Sequence, residues 1–346
     1  MRYQLPALEA LQGRNLTLRE QTRLASNPDQ LRWQAIFPRR ETRSIRISEI
    51  TQREFRPIGL RREWNAQGHE IPDVLPPRRD FEMIPINPKH TFDEHYLQLL
   101  TERTEGVDSV AAGIIMKDVD EWASILAGAA YRQIEVDAFE AWALGQITVL
   151  DPVTKEATVV SLGLDAARYV AEGEAWNVVT GGAYARLVYH LDAAQDMLGG
   201  VGAIRMRRAT LNTVVATAPT STAIPRVTAG NIEQVLEQEG YGEVRVIIDE
   251  RTYDKPTTNP LVTSPTKYVP TGRVLFQPPS GVVGATHFAP VARAFEYASK
   301  DRRVNRNDVA LFLNPQNNGK TLEEEAQLNA IPMPIEQAVY VVNAGF

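Results

Sequence analysis

The stretch that decides the fold is VDSVAAGIIMKDVDEWASILAGAAYRQIEVDAFEAWALGQ, residues 107–146. Apolar residues recur at 110, 111, 114, 115, 119, 122, 125, 126 and 129, then less regularly through Val136, Phe139 and Ala143. Intervals of three and four put these on one stripe of a helix. The spacing predicts a helix over about 107–145, roughly 58 Å long at 1.5 Å per residue. Few compact enzymes need an element of that length. Gly113 and Gly128 fall inside it, each about 1 kcal/mol less favourable than Ala, and mark where it would bend or break.

Toward the C-terminus, residues 146–150 and 157–162 flank Asp151-Pro152-Val153-Thr154-Lys155, a strand–turn–strand signal. A helix is expected over 181–198, bounded by the glycine pairs 181–182 and 199–200. Strands are expected near 203–207, 243–249, 273–276, 309–313 and 338–342, with a short helix at 231–238. Residues 254–271 are rich in Pro and Thr. No internal repeat stands out, and the regular strand–helix beat of a doubly wound sheet is missing. The class is mixed α+β.

Toward the N-terminus, the first forty residues read as two short helical pieces broken at Pro6 and Pro28, with little to pack into a core of their own. Residues 44–50 alternate, Ile45 and Ile47 opposing Ser44, Arg46 and Ser48, as a strand does. The texture changes over 53–86. Pro57, Pro72, Pro76, Pro77 and Pro85 are interspersed with Phe55, Ile58, Leu60, Trp64, Ile71, Val74 and Leu75. This reads as a long extended hairpin or loop turning near Asn65-Ala66-Gln67-Gly68, a length that usually serves a function. No local helix or sheet face would bury its large side chains.

The chain has 346 residues, 37 Lys+Arg against 43 Asp+Glu, 43% hydrophobic residues and no cysteine. Disulfides, thiolate catalysis, Cys-ligated zinc and iron–sulfur clusters are thereby excluded. No apolar run approaches the roughly 20 residues that span a bilayer, and residues 1–11 lack the continuous apolar centre of a secretory signal. Charge is uneven. Residues 1–62 hold 13 Arg, no Lys and 6 acidic residues, a net +7 that leaves −13 for the rest. The whole chain uses 30 Arg against 7 Lys. Arg is favoured where planar, bidentate contacts to carboxylates form at interfaces. A basic arm meeting the acidic body of a neighbouring copy fits both counts; nucleic acid and a merely solvated basic surface are the alternatives.

A search for catalytic chemistry finds no anchor. Gly319-Lys320-Thr321 resembles the end of a phosphate-binding loop, but Asn314 stands where its upstream glycine belongs. Gly200-Val201-Gly202 opens a dinucleotide fingerprint whose third glycine is replaced by Arg205. His69, His90, His95, His190 and His287 show no metal-ligand spacing. Ser280-Gly281 lacks a nucleophile elbow. The carboxylate runs Asp118, Asp120, Glu121 and Glu323, Glu324, Glu325 read as solvated helix faces or helix starts. No catalytic residue, cofactor or metal is therefore expected.

The order of parts resembles the major capsid protein of tailed bacteriophages with the Hong Kong 97-type fold, in the branch of the phage lambda major head protein. An arm, 1–43, precedes an extension-loop candidate running from ITQREFRPIGLRREW to VLPPRRDFEMIPI. The spine-helix candidate quoted above runs into ITVLDPVTKEATVV. TAGNIEQVLEQEGYGEVRVIIDERTYD and TGRVLFQ match an axial domain, and AIPMPIEQAVYVVNAGF the terminal strand segment. The resemblance implies an arm (1–43), an extension loop (44–90), a peripheral domain with the spine helix (91–175), an axial α+β domain (176–308) and a C-terminal return (309–346).

It further implies a non-enzymatic protein that self-assembles, as pentamers and hexamers, into the icosahedral shell around a double-stranded DNA genome. That shell, the virion capsid, would assemble in the host bacterial cytoplasm. DNA would be contacted only non-specifically and no membrane would be involved. A portal and a decoration protein are further partners of such shells. No long N-terminal coiled coil is present, so a separate scaffolding protein is expected. The loop 53–86 contains no lysine, so an inter-subunit Lys–Asn cross-link is not carried over. Candidate inter-subunit contacts are Arg39, Arg40, Arg43 and Arg46 on the arm side, and Phe55, Leu60, Arg61, Arg62, Trp64, Ile71 and Leu75 in the loop. The rival readings are an encapsulin-type nanocompartment shell, which shares this fold, and an α+β enzyme with an unrecognised site.

Overall fold

The computed structural model describes residues 16–25, 33–50, 78–96, 109–150, 156–179, 181–220, 224–256, 263–294, 304–316 and 321–345. Helix α1 (Leu16–Ala25) is followed by strands β1 (Arg39–Glu41), β2 (Arg46–Ile50), β3 (Arg78–Glu82), β4 (Pro85–Ile86) and β5 (Lys89–Phe92). Helix α2 (Ser109–Leu144) then runs unbroken for 36 residues, through both Gly113 and Gly128. That is about 54 Å at 1.5 Å per residue. Its buried stripe is rich in alanine (Ala123, Ala127, Ala130, Ala138, Ala141), and such small side chains let the helix lie close against a sheet. Gly145 stops it: at φ 68° the residue is left-handed, and its N–H bonds the Ala141 carbonyl at 3.0 Å.

Strands β6 (Gln146–Leu150) and β7 (Ala157–Ser161) form the antiparallel pair that the spacing predicts. Strand β8 (Tyr169–Ala171), helix α3 (Gly182–Leu198), strand β9 (Ala203–Met206), helices α4 (Arg208–Thr217) and α5 (Ile232–Gln238) and strand β10 (Arg245–Ile248) follow. Then come β11 (Thr252–Pro256), β12 (Thr263–Lys267), β13 (Arg273–Gln277), β14 (Gly284–Ala289), β15 (Ala310–Gln316), β16 (Thr321–Pro334) and β17 (Tyr340–Asn343).

Two sheets organise these elements. The five-stranded sheet has the order β10-β9-β13-β17-β8, and one core holds its Ile204, Val274, Phe276 and Val342 together with Leu187, Leu191, Leu211 and Leu236 of α3, α4 and α5. The six-stranded sheet is built on β16, which pairs with β14 and β15, while β4 and β5 also pair with β16 and β1 extends from β14. Helix α2 lies across β16, and their shared core contains Ile134, Trp142, Leu322, Ala326 and Leu328.

Two sequence expectations fail here. Residues 321–334 are the longest strand, not a turn followed by a helix start, and Glu323, Glu324 and Glu325 lie within it. Leu322, Ala326, Leu328 and Ala330 alternate toward α2 as a strand requires, but the three glutamates hide that alternation. The Pro/Thr-rich stretch contains the hairpin β11–β12. The arm also packs on its own chain: Trp33 and Phe37 are almost fully buried, and β1 joins β14 in parallel. At Gly284 a Cβ would lie 2.3 Å from the Met333 carbonyl and 2.5 Å from the Phe37 ring, so only glycine admits that packing.

Candidate assembly surface

The extension-loop residues Phe55, Leu60, Arg61, Arg62, Trp64, Ile71 and Leu75 lie outside the described residues. What is described is the base from which that segment leaves and to which it returns. Strands β2 and β3 are antiparallel, with Ile50 opposite Arg78 and Arg46 opposite Glu82. The base is anchored by Ile47, Phe81 and Met83, which pack with Ile147, Leu162 and Met333.

The four arm-side arginines separate into two kinds. Arg39 is turned inward. Its Nη1 bonds Asp308 Oδ2 at 2.8 Å, its Nη2 bonds the Asn307 carbonyl at 2.8 Å, and its guanidinium lies 4.3 Å from the Phe288 ring centre. Tyr131 of α2 donates to the other Asp308 oxygen. Arg39 therefore ties β1 to residues 307–308 of its own chain. Arg40, Arg43 and Arg46 are exposed. Arg46 lies 3.7 Å from the exposed Glu82 across β2–β3, and such pairs are worth about 0–1 kcal/mol.

Sequence reasoning missed a surface beside β5. A pocket of about 460 Å³ there is lined by His90, Phe92, Asp93, Tyr96, Asp118, Glu121 and Trp122, among others. The His90 ring stacks on Trp122 at 3.6 Å, and burial lowers its pKa. Phe92 stacks on Tyr96 at 5.0 Å, and the Tyr96 hydroxyl donates to Asp118 at 3.2 Å. Among the described residues no salt bridge reaches Asp93, Asp118 or Glu121. Aromatic walls and acidic rims suit a cationic side chain.

Two other polar clusters are internal. His190 lies on the buried face of α3, with Nδ1 2.9 Å from the Tyr340 hydroxyl and Nε2 against Glu172. Burial is the main reason its pKa is lowered, and Trp176 stacks over the ring at 6.1 Å. Asp249 receives Arg205 Nη1 and Arg251 Nη2, each at 2.8 Å. Burial works to raise the Asp249 pKa; the two guanidinium groups outweigh it and hold the carboxyl below its usual range. Arg251 continues to Glu135 on α2 and lies over the Phe139 and Tyr268 rings, joining the five-stranded sheet to the long helix. Among the described residues no group of His, Asp and Glu is placed to hold a metal ion, and no helix is long and apolar enough to cross a membrane.

No protein-family model matches the sequence, and no curated protein matches it. Solved structures do. A capsid protein of an E. coli CFT073 prophage is similar over 78% of this chain and 79% of its own, with a TM-score of 0.51 and 12% identity. The capsid of Myoviridae phage XM1 aligns over 90% of each chain, with a TM-score of 0.49 and 10% identity. A phage-related protein of Bordetella bronchiseptica aligns over 95% and 96%, with a TM-score of 0.48 and 11% identity. The α+β fold of this chain is that of the prophage capsid protein.

Proposed function

We propose that this protein is the major capsid protein of a tailed bacteriophage, assembling with itself into the icosahedral shell that encloses the genome. The observation that carries the reading is the shared fold with a prophage capsid protein over about four-fifths of each chain. The molecule's own design supports it. The sequence between β2 and β3 is rich in large apolar and Arg side chains with no local helix or sheet pattern to bury them, as a segment meant to be covered by a neighbouring copy would be. Exposed Arg40, Arg43 and Arg46 on the basic side complement the acidic pocket beside β5. The protein works as a structural component of the virion, without catalysis, and is assembled in the host cytoplasm with a separate scaffolding protein.

The test is particle mass and content. Purified protein, examined by light scattering and electron microscopy, should form megadalton shells of genome-holding size. Small shells loaded with an enzyme would favour the nanocompartment reading, and a monomer or small oligomer would reject both. Within shells, Trp64→Ala should lower thermal stability by about 2 kcal/mol per contact, as loss of an interface anchor does. The unassembled subunit should keep its circular dichroism. If it unfolds instead, Trp64 belongs to an internal core.

A further inference from the structure

Strand β16 carries one residue that its surroundings do not satisfy. Leu322, Ala326, Leu328 and Ala330 face α2, and Glu324 occupies the place between Leu322 and Ala326 on that same face. Its exposure is 0%, and neither carboxylate oxygen has a hydrogen-bond partner. Natural cores rarely leave a buried polar group so.

The groups around Glu324 are mostly of the wrong sign. Helix α1 contributes Glu20, and α2 contributes Asp120; both carboxylates repel a charge on Glu324. The nearby cations are engaged elsewhere: Arg23 Nε bonds Glu20 at 2.7 Å, and Arg19 pairs with Asp120. From β5, His90 lies directly opposite Glu324, but its ring is stacked on Trp122 and burial favours its neutral form. From β15 the opposite residue is Leu313. Glu323 and Glu325 point to the other face, where they meet Lys89 and Arg293. Burial first, and then Asp120 and Glu20, push the Glu324 carboxyl up to about 8.

The elements that enclose Glu324 are unequally fixed. Strands β5 and β15 are laddered to β16, and α2 runs 36 residues over the sheet. Helix α1 has ten residues. Gln21 Nε2 bonds the Asn305 and Val309 carbonyls at 2.9 and 2.8 Å, and the Leu311 N–H donates to Thr17 Oγ1 at 3.1 Å. Among the described residues its polar links to α2 are Arg19–Asp120 and the 3.3 Å contact from Ser124 Oγ to Glu20, and its Leu16 and Leu24 enter the core that α2 shares with β16. Of the two helices beside Glu324 it is much the shorter.

We propose that Glu324 is a protonation-gated latch for the amino-terminal helix α1: as a carboxylic acid it lets Glu20 and Asp120 close over it, and as a carboxylate it drives α1 off α2 and β16. Lifting α1 opens the route by which the proton reaches water. The latch belongs to the single chain and stands whether or not the chain forms shells. With α1 lifted, Glu324 returns toward the ordinary value of 4.5. The seated form therefore holds an extra proton between that value and about 8. Seating weakens as pH rises across this window, by up to about tenfold per unit, and levels off above it.

Hydrogen exchange of the full chain, corrected for the intrinsic pH dependence of exchange, reads this directly. Between pH 5.5 and 9 the protection of residues 16–25 should fall at least tenfold relative to that of β13, and in Glu324→Gln it should stay level. Protection of 16–25 that is independent of pH, or that falls equally in both proteins, overturns the latch. Should Glu324→Gln fail to fold, Glu20→Gln serves: with one repelling charge removed, the levelling-off should move to lower pH. An unchanged profile in that variant also overturns it.

Discussion

The two sheet regions each bury a carboxylate, and they treat it in opposite ways. Beside the five-stranded sheet, Asp249 is met by Arg205 and Arg251, and its pKa is held below the usual range. Under the long helix, Glu324 is met by Glu20 and Asp120, and its pKa rises to about 8. Burial is similar; the difference is the partner. A paired charge makes a fixed joint, here reaching through Arg251 to Glu135 on α2, whereas an unpaired one makes a joint that answers to pH.

The contrast is sharpest in what should break it. Asp249→Ala leaves Arg205 without its carboxylate in a largely buried site, and should cost about 3–5 kcal/mol in denaturant unfolding at pH 7. A loss below about 1 kcal/mol would mean that the joint is ornamental. Glu324 acts in the other direction. Its raised pKa means the folded state loses stability as pH climbs from about 4.5 toward about 8, by about 1.4 kcal/mol per unit. Glu324→Gln should match the natural protein near pH 4.5 and exceed it at pH 9.

His190 carries the opposite sign. Its lowered pKa keeps it neutral in the fold, so protonation of the unfolded chain erodes stability as pH falls below 6.5. Denaturant unfolding at pH 7 and pH 5 should show this loss, and His190→Gln should remove that acid sensitivity. Exchange resolved by segment should thus show the five-stranded region loosening in acid and the α1 seat loosening in base. Arg46→Ala should change subunit stability by no more than about 1 kcal/mol, since its pair with Glu82 is solvated.

The parts legible in the sequence are those set by local spacing. The long helix, the β6–β7 hairpin and most strands of the five-stranded sheet follow from period and turn residues alone. Residues 321–329 were illegible because their most unusual residue, Glu324, occupies the position whose apolarity would have announced a strand. Local rules tend to fail where a site departs from simple packing. The arm failed for another reason. Trp33 is covered by Phe288 and Arg39 is satisfied by Asp308, partners that lie far along the chain and leave no local trace. Arginine bias announced ion pairing but could not say whether each guanidinium would be satisfied within the subunit.

Strand β16 is the axis of one sheet and β17 lies between β13 and β8 in the other, yet both follow every neighbour they join in the order of synthesis. A ribosome therefore releases β4, β5 and β8 long before the strands that join them to their sheets. Neither sheet is complete until residues 321–343 have been synthesised. A chain broken off before residue 321 would lack β16, the axis of the six-stranded sheet, and β17, which joins β8 to β13, and its unpaired edges would mark it for removal before it could join a sound copy.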